Sequence, residues 1–166
     1  MRISILGATS HIAKGLVVRY LARGGNDICL YVRSAEKMRD FLRGEGLGLF
    51  DAVYGFDSFG ERDCDLIINC VGLGTPEKVV SAKGGIFAIT EQFDGLVLSY
   101  LDRHPDTVCV NFSSGAVYGS SFSRSVDAGS NTEIAVNDIR PSDYYRIAKL
   151  NSEAKHRAFN GNIIDL

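Results

Sequence analysis

A chain of 166 residues, 45% hydrophobic and 23% charged, has the size and composition of one ordinary globular domain and enough length to bury a core. Its net charge is −2, with arginines and lysines scattered and no basic block, so charge offers no grip on nucleic acid or an anionic membrane. No apolar run approaches the ~18 residues of a membrane span, and the apolar opening runs straight into a glycine turn, too short for a secretion signal. A reducing cytoplasm is the expected compartment. Cys29, Cys64, Cys70 and Cys109 show no C-x-x-C pairing and no histidines at ligand spacing. They are expected to be structural thiols, with neither metal nor disulfide.

Apolar runs and helical patterns alternate along the chain. Residues 2–6 read as a buried strand, and Ile12, Ala13, Leu16, Val17, Tyr20 and Leu21 then recur at helix spacing until Gly24-Gly25. Residues 28–32 make a second strand, followed by a charged helix over 34–43. Residues 49–54 form a weaker third strand, and 65–71 a strong fourth with Asp65 at its mouth. A long helix over 87–103 stops at Pro105, and 107–112 is the fifth strand. The polar stretch 120–141 predicts a long loop, either functional or unstructured. Ser142 or Asp143 is expected to cap the next helix, and Asn160-Gly161 to end it. Residues 162–166 begin a sixth strand.

Near-continuous apolar strands alternating with helices imply a parallel sheet covered on both faces. The right-handed crossover rule then gives an α/β doubly wound parallel sheet, the Rossmann fold, with strand order 3-2-1-4-5-6. In such sheets ligands lie beyond the carboxyl ends of the strands.

Two ends of a site follow. Gly7-Ala8-Thr9-Ser10-His11-Ile12-Ala13 joins the first strand to the first helix, where backbone N–H groups and the helix dipole suit a pyrophosphate. Gly7 permits the tight turn, while Ser10 and Ala13 stand where the dinucleotide fingerprint prefers glycine. Taken alone, the segment is a weak signal, since a strand-to-helix turn can also carry no ligand. At the end of the second strand an NAD site carries an acidic residue for the ribose 2′-hydroxyl, but the chain offers Tyr31-Val32-Arg33-Ser34, with Asp27 at the wrong end. Arg33 could fork onto a 2′-phosphate, with Arg39 assisting or merely decorating its helix, so NADP is expected over NAD. His11, Asp57, Val71 and Gly72 complete the candidate contacts, Asp57 toward the adenine edge.

At the other end, Ser113 and Ser114 follow the fifth strand, and Tyr145 and Lys149 share one face of the next helix. Only Tyr145 has this partner, since Tyr144 has Ala148 four residues on. A free phenol is a poor base at neutral pH, and an ammonium beside it favours the phenolate. Tyr145 could then exchange a proton with a substrate oxygen while hydride moves to or from a nicotinamide, with Ser114 holding that oxygen.

The run Asp65-Leu66-Ile67-Ile68-Asn69-Cys70-Val71-Gly72, the Gly7 turn, the run Ser113-Ser114-Gly115-Ala116-Val117-Tyr118-Gly119, and Tyr145 with Lys149 together resemble the extended short-chain dehydrogenase/reductase family, the NAD-dependent epimerase/dehydratase group. The resemblance covers essentially the whole chain. It implies a catalytic Ser114–Tyr145–Lys149 set, with Lys149 also holding the nicotinamide ribose, and Gly7, Thr9, Ser10, His11 and Ile12 around the phosphates. It further implies reduction or epimerisation of a nucleotide-linked sugar, and a homodimer through the fourth and fifth helices. Sugar 4,6-dehydratases of the family carry an acidic pair where this chain has Gly115-Ala116, which argues against dehydration. Residues 1–166 are expected to be the dinucleotide-binding part of a longer enzyme whose substrate domain follows. A non-catalytic NAD(P)-binding regulator of the same fold is the alternative.

Overall fold

The structure, a computed structural model, describes residues 1–73, 81–82, 84–119, 125–127 and 129–166. Its strands are β1 (Arg2–Leu6), β2 (Asp27–Tyr31), β3 (Val53–Tyr54), β4 (Leu66–Asn69), β5 (Val108–Asn111) and β6 (Ile163–Asp165). They form one parallel sheet in the order β3-β2-β1-β4-β5-β6, as expected from the sequence. The main helices among the described residues are α1 (His11–Arg23), α2 (Ala35–Gly44), α3 (Gly85–Arg103) and α4 (Tyr144–Ala158).

The two-residue period of a strand sends alternate side chains to opposite faces, and both faces are covered. Ile3 and Ile5 join Val17 of α1 and Met38 and Leu42 of α2 in one core cluster. Leu6 and Ile67 join Phe93, Val97, Tyr100 and Leu101 of α3 in the other. Ile5 has no exposed surface at all, so Ile5→Ala is expected to cost about 3 kcal/mol in lost burial and cavity.

Local signals fix most helix ends. Ser10 Oγ accepts the Ala13 N–H at 3.3 Å, and Ser34 Oγ accepts the Lys37 N–H at 3.3 Å, each satisfying a first-turn donor. At the far end of α1, Gly24 takes φ 65° and returns its N–H to the Tyr20 carbonyl.

Three expected boundaries move. β3 is two residues long instead of six, because the chain leaves α2 through the left-handed Gly46 and Gly48 (φ 71° and 72°), and Leu49 is out in solvent. Neither Ser142 nor Asp143 caps α4 through its side chain. A 3-10 turn, Pro141–Asp143, runs directly into the helix, and the Asp143 carboxylate reaches back to the Arg140 N–H at 3.0 Å. Proline has no N–H to satisfy and a preset φ, so the winding begins there. At its other end α4 stops at Ala158, where Phe159 turns extended, before the Asn160-Gly161 pair is reached.

Of the long polar stretch, residues 120–124 and 128 lie outside the described residues; the remainder includes a short 3-10 turn, Val136–Asp138. All four cysteines are free, three buried and Cys29 half-buried. Among the described residues no helix is long and apolar enough to cross a membrane.

Candidate functional site

Gly7 leaves β1 with φ 70°. A Cβ there would lie 3.0 Å from the Cys70 carbonyl carbon and oxygen and from the Val71 nitrogen. The turn therefore rests on the end of β4, an approach only glycine allows. Its Gly7 and Ala8 N–H groups both donate to the Tyr31 carbonyl, at 2.9 and 3.3 Å. Ser10 is occupied as the cap of α1 and lies beside the Cys70 thiol, whose pKa burial pushes up to about 12. Its small size thus serves the helix end. Ala13 is fully buried beneath the turn. The backbone N–H groups of Thr9, His11 and Ile12 find no partner among the described residues, and all three residues are exposed. Unpaired donors at the positive end of a helix form a cradle for an anion.

On the flank of this cradle Arg33 is exposed just past β2, free of ion pairs among the described residues. Asp27 opens β2 at the opposite end of the strand. Arg39 is exposed on α2, and Asp57 is exposed in the 3-10 turn Phe56–Ser58 that follows β3. The floor continues through Val71, whose N–H donates to Asn69 Oδ1 at 3.2 Å, to the exposed Gly72.

The chemical end is built from the tail of β5 and the first turns of α4. Ser113 donates to Glu153 Oε1 at 2.5 Å, tying strand to helix. Ser114 Oγ accepts the Ala116 N–H at 3.2 Å and caps the 3-10 turn Gly115–Tyr118, which packs against α4. The Ser114 hydroxyl proton itself has no acceptor among the described residues. Tyr145 is half-buried, and its hydroxyl makes no hydrogen bond to the described residues, Ser114 included. Tyr144 is instead engaged with Phe87, ring centroids 5.6 Å apart. One turn beyond Tyr145, Lys149 is 5% exposed and donates from Nζ to the Phe112 carbonyl at 3.0 Å. Burial lowers its pKa, while the carboxylates of Asp94, Asp165 and Glu153 work against that fall.

Beneath Lys149 runs a buried polar chain that the motif reading missed. Asn69 Nδ2 donates to Asn111 Oδ1 at 2.9 Å, and Asn111 Nδ2 donates to Asp165 at 2.7 Å. Asp165 meets His156 Nδ1 at 2.8 Å, and His156 Nε2 lies 3.5 Å from Asp94. Ser152 donates to Asp94 Oδ1 at 2.8 Å, and the Lys155 ammonium is 2.7 Å from Asp94 Oδ2. A signal was available. Ser152 and His156 follow Lys149 by three and seven residues, which is one helix face, and Asn69 and Asn111 are polar residues ending apolar strands.

An open parallel sheet with a glycine-turned anion cradle at the carboxyl end of β1 defines a doubly wound fold of the dinucleotide-binding type. The chain belongs to the NAD dependent epimerase/dehydratase family, whose pattern it matches over residues 3–162. No curated protein sequence matches it. Among solved structures it is similar to the UDP-glucose 4-epimerase of Bifidobacterium longum in complex with NAD+ and UDP, with TM-score 0.71, 17% identity, and coverage of 95% of this chain and 48% of that one. It is also similar to the UDP-glucuronic acid 4-epimerase of Bacillus cereus in complex with NAD, at TM-score 0.68 and 15% identity over 99% of this chain and 55% of that one. A third is the dTDP-glucose 4,6-dehydratase of Bacillus anthracis in complex with NAD, at TM-score 0.69 and 15% identity over 99% and 53%. The chain spans about half the length of these structures. The family and all three structures are named with NAD, which does not support the NADP expected from Arg33.

Proposed function

We propose that this chain carries the dinucleotide site and the proton-transfer residues of an NAD-dependent enzyme that epimerises or reduces a nucleotide-linked sugar. The observation that carries the reading is the buried Lys149, tied to the Phe112 carbonyl one helical turn from the unbonded Tyr145 hydroxyl and two residues before Ser114. The cradle fits the cofactor's pyrophosphate: Gly7 brings the turn against β4, and Thr9, His11 and Ile12 present free N–H groups. Asp57 would meet the adenine edge, while Val71 and Gly72 would line the floor.

A nicotinamide bound there supplies the hydride acceptor and donor. The chain's own residues handle the proton. Ser114 donates a hydrogen bond to the substrate oxygen and orients it. Tyr145 exchanges a proton with that oxygen, and the Lys149 ammonium stabilises the negative charge left on the phenol oxygen. Among the described residues Lys149 donates only to Phe112, which would leave donors for the ribose hydroxyls. Gly115 and Ala116, in place of an acidic pair, favour epimerisation or reduction over dehydration. The substrate-choosing part and a homodimer through α3 and α4 belong to the same proposal.

One observation favours a second cofactor. Arg33, exposed and without an ion pair among the described residues, stands where an NAD site carries a carboxylate, and its planar fork suits a 2′-phosphate. Parallel fluorescence titrations with NADH and NADPH test both readings. Tighter NADH follows the family, and tighter NADPH assigns Arg33 to the phosphate. Absence of binding by either removes the proposal, and binding without turnover of a sugar nucleotide by the complete enzyme turns it into a dinucleotide-sensing regulator.

A further inference from the structure

Lys149 is a buried ammonium whose one hydrogen bond among the described residues goes to a neutral carbonyl, and it forms no ion pair within 4 Å there. Such a charge needs opposite charge nearby to remain in a low-dielectric site. The charged and titratable groups around it come from every packed element: Asp94 from α3, Asp165 from β6, Cys70 after β4, and Glu153 from its own helix. Glu153 is taken by Ser113 and Arg157, and Asp165 by Asn111 and His156.

Asp94 differs in position. It is 2% exposed in the middle of α3 and lines, with Lys149, one small cavity of about 10 Å³ whose wall includes Asn69, Asn111 and Ser152. That volume is at the lower limit for a single water. Ser152, from the cavity wall, and His156 and Lys155 hold the carboxylate in place, at 2.8, 3.5 and 2.7 Å.

We propose that Asp94 is a positioning residue for Lys149: the fixed counter-charge across the cavity that holds the ammonium at the end of β5, aimed at the nucleotide side. This rests on the role given to Lys149 in the proposed function. The anchoring by Ser152, His156 and Lys155 is then a support for the carboxylate, and the polar chain under the sheet joins the nucleotide floor at Val71 to the base of the catalytic helix.

Lysine 13Cε signals of the isotope-labelled chain, with Lys149→Arg to assign the resonance, read the charge on Lys149 without any cofactor. In Asp94→Asn the Lys149 titration midpoint is expected to fall by about one pH unit. Ser152→Ala, which removes a contact and keeps the charge, is expected to leave it in place. An unchanged midpoint in a folded Asp94→Asn chain overturns the proposal, as does an equal fall in Ser152→Ala. If Asp94→Asn does not fold, Asp94→Asn combined with Lys149→Met is expected to fold, because the charge to be offset has gone. Failure of the double variant as well overturns it. Failure of the chain to bind NADH bears on the proposed function alone and leaves the Lys149 comparison readable.

Discussion

His156 gives the most quantitative expectation. Its ring is sealed between Asp165, 2.8 Å from Nδ1, and Asp94, 3.5 Å from Nε2. Burial pulls its pKa down, but the two carboxylates more than offset this and raise it from 6.5 to about 9. A histidine held above its unfolded value contributes stability in full below about pH 6.5 and loses it as the pH climbs through about 9. At about 1.4 kcal/mol per pH unit, that interval corresponds to about 3 kcal/mol. Urea unfolding of the chain at several pH values across the interval reads it directly. Lys149, whose pKa is lowered, acts in the opposite direction at alkaline pH, so the informative quantity is the difference between the parent chain and His156→Gln. The parent is expected to lose about 3 kcal/mol more than the variant across that range. Parallel curves for the two chains would refute the account of His156 as a buried cation.

Gly7→Ala places a Cβ 3.0 Å from the backbone of Cys70 and Val71 at φ 70°; it is expected to cost about 1–3 kcal/mol in thermal or urea unfolding and to weaken dinucleotide binding. Unchanged affinity would show that the turn is no cradle. Tyr145→Phe is expected to leave NADH affinity nearly unchanged and, in the complete enzyme, to slow turnover of a sugar nucleotide by about 10²-fold or more, and retained turnover would remove Tyr145 from the chemistry. Arg33→Asp is expected to weaken NADPH far more than NADH in the same titrations. Equal losses would discredit the 2′-phosphate assignment.

The sheet order was readable because the strands are largely apolar and α1 and α3 carry stops at Gly24-Gly25 and Pro105. The candidate motifs stood out in the sequence because Gly7 and Ser114 each follow a strand, β1 and β5, and Tyr145 lies where α4 begins. Less legible were features set by distant partners. The length of β3 depends on where two left-handed glycines aim the chain. Ser10 stands at a fingerprint glycine position, yet its hydroxyl is committed to the helix cap. The Asn69–Asn111–Asp165–His156–Asp94 chain joins Asn69 to Asn111 across 42 residues and Asn111 to Asp165 across 54, and no local pattern in the sequence names those partners. Arg33 was legible as a residue but not as a choice of cofactor, since the relatives are named with NAD.

The grip of Lys149 and Ser113 on their partners also separates the site into two tiers of cohesion. The cradle at Gly7 is part of the sheet itself, bonded to Tyr31 and pressed on Cys70, and it opens only when the sheet does. Tyr145 and Lys149 belong to one helix, fastened to the sheet by a few side-chain bonds such as those to Phe112 and from Ser113. Undocking that single helix would separate Tyr145 and Lys149 from Ser114 while leaving the cradle whole. Amide hydrogen exchange should therefore find α4 less protected than β1 and β4. On the proposed function, a chain caught in that loosened form would still hold a dinucleotide and be unable to use it.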